Sequence, residues 1–177
     1  ELLAVLGSHY YSEIGKIEAG IYGFESLTAS NSTTGNGPEN LFSGNNNDFW
    51  ETEKTAAATM ENVSIDLGKT CCINRIILGS SGEGFPESFH IETSVDNEVW
   101  ITLIHEKRFE AETGKKYGWY TDIRPARFIR LEAQGKKYFN GKYGIKINNM
   151  EISAAPVDYL HTHTVGDIAP HASVFHA

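Results

Sequence analysis

The sequence predicts an all-β fold built as an antiparallel β-sandwich with extended N- and C-terminal segments. Apolar and polar residues alternate over residues 63–67 and again over residues 89–93. This period of two is typical of strands with one face buried and the other in water. Turn residues separate these runs, and no long amphipathic helical pattern competes with them. Short strands with turns between them are typical of a sandwich.

The element order follows from these patterns. In residues 1–28, some apolar residues have helical spacing, but glycines interrupt it. Each glycine destabilises a helix by up to about 1 kcal/mol relative to alanine, so strand and extended structure are favoured. Residues 29–48 are rich in Ser, Thr, Asn and Gly, which favours a long structured loop. Seven strands follow, at residues 62–67, 74–78, 88–94, 99–105, 117–122, 127–133 and 147–152.

Length and composition predict one globular domain. The chain has 177 residues, 40% of them hydrophobic and 21% charged, which are ordinary globular values. No apolar run approaches the roughly 20 residues that span a bilayer. The formal net charge of −8 would repel phosphate groups, so nucleic acid is excluded as a partner, and an acidic membrane surface is disfavoured.

The chain divides into three segments on composition. Residues 1–28 form an N-terminal extension or first strands, residues 29–153 form the β-sandwich, and residues 154–177 form a C-terminal arm. The arm contains Pro156, Pro170 and four of the seven histidines, without a clear period. We expect it to contact its own sandwich or a neighbouring subunit.

Several motifs in the same order resemble the discoidin family, also called the coagulation-factor type C domain, which is related to carbohydrate-binding modules. The motifs are Asn40 to Asn45 with Phe49-Trp50, then Val-Ser-Ile-Asp-Leu-Gly at 63–68 and Ile-Asn-Arg-Ile at 73–76. Phe-His-Ile-Glu-Thr-Ser at 89–94 with Trp100, Ala-Arg-Phe-Ile-Arg-Leu at 126–131 and Asn-Met-Glu-Ile at 149–152 follow. The resemblance covers residues 29–152 and implies a jelly-roll sandwich that binds through loops.

The resemblance also implies a calcium ion between the first loop and the last strand. The matching positions are Asn40, Ser43, Asn45 and Glu151. Oxygen donors of these types suit calcium, which takes six to eight oxygen ligands. Ser43 stands where an aspartate is common in the family, so the site lacks one charge, and a loop held by hydrogen bonds alone is the alternative.

Sugar-binding relatives use a histidine after the first-loop tryptophan, with an arginine and an asparagine from later loops. Here Glu51-Thr52 follows Trp50, and residues 79–85 contain neither arginine nor asparagine. The galactose-type set is therefore absent. A glycan could instead bind through an aromatic platform and nearby polar groups, with candidate ligand-binding residues Glu51, Glu83, Phe85, Tyr138, Phe139 and Asn140. Solvated loops are the alternative interpretation, and a core position is the favoured one for Trp50 and Trp100.

The sequence predicts a recognition module rather than an enzyme, because it contains no nucleophile elbow, phosphate-binding loop or metalloprotease motif. The expected partner is a glycan or another cell-surface ligand, and the expected location is extracellular or surface-exposed. The alternative is a structural or assembly domain of a larger surface or virion protein, whose terminal arms dock onto neighbouring subunits.

Overall fold

The structure, a computed structural model, describes residues 16–17 and 25–156. Predictions for the C-terminal arm beyond residue 156, and for most of residues 1–24, lie outside these residues. The described part is almost entirely β, with one short 3-10 helix at Pro38–Phe42. No helix among the described residues is long and apolar enough to cross a bilayer.

Eleven strands are described in these residues. They are β1 (Lys16–Ile17), β2 (Ser26–Ala29), β3 (Trp50–Glu51), β4 (Met60–Gly79), β5 (Phe89–Ser94), β6 (Ile101–Glu106), β7 (Lys116–Gln134), β8 (Lys136–Phe139), β9 (Lys142–Gly144), β10 (Lys146–Ile147) and β11 (Asn149–Pro156).

The strands form one seven-stranded antiparallel sheet and two small ones. The order in the large sheet is β1-β11-β4-β7-β5-β6, with β2 beside β4, and the small sheets pair β10 with β3 and β8 with β9. The first half of β4 lies between β2 and β7, whereas its second half lies between β11 and β7. Both halves bury side chains in a single core, as expected of a jelly-roll sandwich.

Two pairs of predicted strands are continuous in the structure. Predicted strands 62–67 and 74–78 are both part of β4, and strands 117–122 and 127–133 are both part of β7. Gly68, with a φ of +73°, lies at an irregularity between the Asp66 and Cys71 rungs, whereas Pro125 is opposite Cys72 in a regular rung beyond it.

The alternation that predicted the strands is confirmed by burial. Val63, Ile65 and Leu67 are buried, while Ser64 and Asp66 between them are partly exposed. On the outer face, the Asp66 carboxylate accepts hydrogen bonds of 2.8 and 2.9 Å from the Arg127 guanidinium. This pairing lowers the pKa of Asp66 and links β4 to β7.

The core position predicted for the first-loop tryptophan is confirmed. Trp50 is fully buried, and its indole N–H donates to the Asn31 carbonyl at 3.0 Å. Cys71 and Cys72 are both buried, without a disulfide. Trp100 is only partly buried, and its ring lies 4.2 Å from the guanidinium carbon of Arg130.

An aromatic cluster fills the core at one end of the sandwich. Five rings belong to it, with neighbouring centroids 4.8 to 6.2 Å apart: Phe85, Phe89, Phe109, Tyr117 and Trp119. Edge-to-face and tilted contacts of this kind stabilise a core beyond simple area burial. The cluster anchors the loops that follow β4 and β6 at this end.

Candidate functional site

The candidate site lies at the end of the sandwich where β5 begins and β7 ends. Here the β8–β9 hairpin follows β7, and its residue Tyr143 forms an antiparallel bridge with Thr55 after β3. We call this region the hairpin end. Loops at one end of a sandwich are where such folds usually carry function, because rigid strands fix their positions.

Three side chains at the hairpin end are joined by hydrogen bonds to one carboxylate. Glu51 Oε1 accepts a hydrogen bond from the Tyr138 hydroxyl at 2.8 Å, and the Lys54 ammonium binds the same oxygen at 2.8 Å. Asn36 Nδ2 donates to the other oxygen, Oε2, at 3.4 Å. The fold brings Glu51 and Tyr138 into contact although they lie 87 residues apart in the sequence. Both residues belong to the predicted ligand-binding set.

The charges in this group are set by its surroundings. Burial alone would raise the pKa of Glu51, but hydrogen bonds from Lys54 and Tyr138 and the charges of Lys54 and Lys146 outweigh it and lower the pKa. Burial, the bond to Glu51, and the charges of Glu51 and Glu83 raise the pKa of Tyr138. At neutral pH the site therefore contains an ionised Glu51 carboxylate and a neutral Tyr138 phenol.

Local backbone contacts hold the carboxylate in place. Glu51 pairs with Lys146 between β3 and β10. The buried Thr52 forms two hydrogen bonds with Ile145. The Thr52 amide donates to the Ile145 carbonyl at 3.0 Å, and the Thr52 hydroxyl accepts from the Ile145 amide at 2.9 Å. These contacts give the site a preformed shape.

Phe139 presents an open aromatic ring beside this group. Its side chain is 49% exposed, and the Lys54 ammonium lies 5.3 Å from its ring centroid. The exposed Asn140 and Gly141 follow with φ of 48° and 76°, so a tight turn presents Phe139 at the tip of the hairpin. An exposed ring beside fixed polar groups is an arrangement that can stack on a sugar ring.

Phe85 is a correction to the predicted ligand-binding set. It is only 1% exposed and lies in the aromatic cluster. The glycine-rich turn before it folds inward, because the Ser80 amide donates to Lys115 and the Ser80 carbonyl accepts from Gly114. Phe85 therefore supports the hairpin end from within and has no face open to a ligand.

Glu83 is exposed, and the turn that carries it packs against Tyr138. A Cβ placed on Gly84 would lie 3.0 Å from Tyr138 Cζ and 2.8 Å from Lys146 Cβ, so glycine is needed for this close approach. The structure thus brings Glu51, Glu83, Tyr138, Phe139 and Asn140 to one end.

Sequence reasoning missed two lysines at this site. Lys54 binds Glu51 three residues earlier in the chain, and Lys146 places its ammonium 4.0 Å from the Phe49 ring centroid. The spacing of Glu51 and Lys54 was visible in the sequence, but outside a helix it carries little weight. Lys146 gave no signal, because only the pairing of β10 with β3 brings it there.

The side chains predicted to hold calcium have other partners. Asn40 Nδ2 donates to the carbonyls of Gly35 and Phe49, and the Asn45 amide donates to Ser43 Oγ. Glu151 Oε1 accepts from the Lys116 ammonium at 2.9 Å. Among the described residues, no group of three or more His, Cys, Asp or Glu side chains is placed to hold a metal.

Nearby amide oxygens nevertheless fit the ligand chemistry of calcium. Asn148 Oδ1 and Asn149 Oδ1 are buried without a hydrogen-bond partner in the described structure. The Asn148 amide also donates to the Asn46 carbonyl at 3.2 Å, which places it against the first loop. Neutral amide and carbonyl oxygens are common calcium ligands, so these oxygens fit the chemistry of the predicted ion.

A match to a family model shows which protein family the chain belongs to. The family model of the F5/8 type C domain matches residues 26–147. The chain belongs to the F5/8 type C domain family. The resemblance in the sequence motifs is thereby confirmed, and the match begins at β2, just before the boundary that composition had suggested.

Solved structures show the fold of this F5/8 type C domain in carbohydrate-binding modules. One is CBM32-3 from a family 31 glycoside hydrolase of Clostridium perfringens, with a TM-score of 0.62, 20% identity, and coverage of 84% of this chain and 97% of that one. Another is the family 32 module of C. perfringens NanJ in complex with galactose, with a TM-score of 0.59, 19% identity, and coverage of 72% and 91%.

A third such structure is the CBM32 of AlyQ in complex with 4,5-unsaturated mannuronic acid. It has a TM-score of 0.59, 21% identity, and coverage of 74% of this chain and 95% of that one. Identities at this level establish the shared fold alone. A comparison with curated proteins found no match.

Proposed function

We propose that this F5/8 type C domain is a noncatalytic recognition module that binds a glycan through the hairpin end. The observation that carries the proposal is the exposed ring of Phe139 beside the hydrogen-bonded set of Glu51, Lys54 and Tyr138. Solved modules of the same fold are in complex with galactose and with an unsaturated mannuronic acid, which supports a sugar as the ligand class.

Each group has a role in this proposal. A sugar ring stacks on Phe139, because the C–H face of a pyranose is apolar. Glu51, held ionised, accepts a hydrogen bond from a sugar hydroxyl, and Lys54 donates one. Glu83 and Asn140, both exposed at the same end, offer further polar contacts. Glu51 is held by its partners as a permanent acceptor, which suits binding better than proton transfer.

The experiment is a glycan array followed by titration of each bound glycan with the wild-type chain and the variant Phe139→Ala. We expect the variant to weaken binding by roughly tenfold, a loss of about 1.4 kcal/mol, because the apolar face of the sugar no longer has a ring to stack on. Tyr120→Ala is the matched control, because Tyr120 is another aromatic residue, 64% exposed, on β7 and outside this site. Equal affinities of wild type and Phe139→Ala would contradict the proposal.

The proposed setting is extracellular or surface-exposed, where polymeric and cell-surface glycans are found. A recognition module acts there by keeping the protein near the glycan. Secretion of the protein and surface labelling with an antibody to this domain would test this placement.

We also propose a second candidate, assembly with a second copy of the chain. Three aliphatic side chains, Val95, Val99 and Ile101, are 47% to 66% exposed at the end of the sandwich opposite the hairpin end. With Arg124 and Pro125 they line a groove of about 310 Å³. Sedimentation over a range of concentrations tests this role, and a mass that stays monomeric in wild type and Val99→Asp alike would exclude it.

A further inference from the structure

A second recess at the hairpin end carries a concentration of positive charge. It lies between the turn after β6 and the β8–β9 hairpin and has a volume of about 510 Å³, within the range of ligand sites. Its lining includes Glu87, Lys107, Arg108, Lys136, Lys137 and Tyr143, and none of the residues of the Phe139 site. We call it the basic groove.

The charge of the groove opposes that of the chain. The chain has 15 lysines and arginines against 23 acidic residues, yet four of the cations and only one carboxylate line this groove. Lys136 pairs with Glu87 at 2.9 Å. Within the described residues, Lys107, Arg108 and Lys137 form no ion pair, so their charges are available to an anion. A recess lined by one sign of charge concentrates ligands of the opposite sign.

The elements that present these cations are anchored. The Phe109 amide donates to the Glu87 carbonyl at 2.8 Å, and the Phe109 ring packs in the aromatic cluster. This fixes the turn that carries Lys107 and Arg108. On the opposite wall, Lys137 places its ammonium 5.9 Å from the Tyr143 ring centroid within the β8–β9 hairpin. A fixed backbone lowers the entropy that is lost when these elements bind a ligand.

We propose that the basic groove binds an anionic sugar residue, one that carries a carboxylate or a sulfate group, within a polysaccharide. The inference rests on the proposed glycan-binding function and names its ligand class. Arg108 can contact a carboxylate or sulfate through two N–H groups, and the lysines contribute point charges. A polysaccharide running along this end could occupy the groove with one residue and Phe139 with another.

A thin polysaccharide suits this groove better than a bilayer or a nucleic acid. Charges act over about 8 to 10 Å at physiological salt, so a chain inside the groove experiences mainly the local cations. A membrane would meet the whole end of an acidic domain, and a nucleic acid would place many phosphates beyond the groove.

The experiment measures affinities for an oligomannuronate, a sulfated oligosaccharide and a neutral mannan oligosaccharide of matched length by calorimetry. We expect the double variant Lys107→Gln/Arg108→Gln to bind the anionic ligands roughly five- to tenfold more weakly and the neutral one unchanged. Glu87→Gln should bind them more tightly, because it frees Lys136. Lys142→Gln is the matched control, since it removes an exposed lysine of the same hairpin that does not line the groove.

The outcomes separate the two proposals. Unchanged affinity for both anionic ligands in the double variant would overturn the groove assignment, even if Phe139→Ala still abolished glycan binding. Binding to phosphatidylserine vesicles or single-stranded DNA without binding to either anionic oligosaccharide would overturn it too. The uronate and sulfate arms show which anion is preferred, and the absence of binding to every glycan would contradict the proposed function itself.

Discussion

Two phenylalanines at the same end of the molecule differ in what surrounds them. Phe85 is 1% exposed and contacts Phe89, Phe109 and Tyr117, whereas Phe139 is 49% exposed at a hairpin tip. Both follow or adjoin glycine-containing turns, so local composition does not separate them. The comparison teaches that an aromatic residue becomes a scaffold or a platform according to whether the fold supplies it with partners.

The largest expected effect is the loss of stability in Phe85→Ala. Removing a buried ring leaves a cavity inside the aromatic cluster and should reduce the free energy of unfolding by about 3 to 5 kcal/mol. Phe139→Ala should change it by less than about 0.5 kcal/mol. Denaturant unfolding measures both, and similar losses in the two variants would contradict the division between scaffold and platform.

Adding and removing calcium tests whether a bound ion stabilises the first loop. We propose that the orphaned oxygens of Asn148 and Asn149 contribute to a calcium site with this loop. If so, calcium at about a hundred times its Kd should add roughly 2.7 kcal/mol of stability, which a chelator removes as a fall in Tm.

The variant Ser43→Asp sharpens this test, because it adds the charge that the family commonly has in the loop. We expect it to increase the calcium-dependent rise in Tm, with magnesium as the control ion because magnesium fits flexible oxygen sites poorly. A Tm that is indifferent to calcium in both wild type and Ser43→Asp would mean that hydrogen bonds alone hold the loop.

A smaller loss of stability is expected at Thr52, which joins the segment that carries Glu51 to Ile145. Thr52→Val removes the hydroxyl that accepts from the Ile145 amide and leaves that buried N–H unpaired. The free energy of unfolding should fall by about 1 to 3 kcal/mol. Thr102→Val, at an exposed threonine on β6, is the control and should be nearly neutral. A neutral Thr52→Val would show that water replaces the lost acceptor.

The smallest effect concerns the protonation of Glu51. In the folded chain the pKa of Glu51 lies below its ordinary value. The hydrogen bonds and charges around the Glu51 carboxylate therefore stabilise the fold at pH values above the ordinary pKa. This stabilisation is lost as the pH falls through the folded pKa. Tyr138→Phe removes one donor, so the pKa of Glu51 should rise toward its usual range and the acid-dependent loss should shrink. Carbon-13 NMR titration of the Glu51 carboxyl measures the change, and an unaltered pKa would mean that Lys54 and Lys146 lower it without Tyr138.

The sequence predicted the strands well where one face meets water. The alternation at residues 63–67 and 89–93 follows directly from a buried and an exposed face, and the structure has strands there. Strand ends were harder, because Gly68 and Pro125 are normally found where strands stop. Here Gly68 lies at an irregularity and Pro125 is opposite Cys72, and β4 and β7 stay paired beyond both residues, which is a property of the whole sheet.

The candidate site was predictable only in part. Glu51, Tyr138 and Phe139 were predicted from their residue types, as an aromatic platform with nearby polar groups, and the structure brings them together. The burial of Phe85 depends on contacts between residues 80 and 113–115, which no local pattern encodes. The basic groove was invisible for the same reason, since it joins cations from positions 107–108 with others from 136–137.

The continuity of β4 and β7 has a consequence for how the chain reaches its folded state. Their pairing runs from Met60 opposite Gln134 to Gly79 opposite Lys116, so even the nearest rung joins residues far apart in sequence. The local β5–β6 hairpin can form early, but the long pairing must wait for a large loop to close. Topologies dominated by such contacts refold in milliseconds to seconds rather than microseconds. We therefore expect the hairpin end, which depends on the far end of β7, to assemble late, so that the proposed glycan binding begins only after this slow closure.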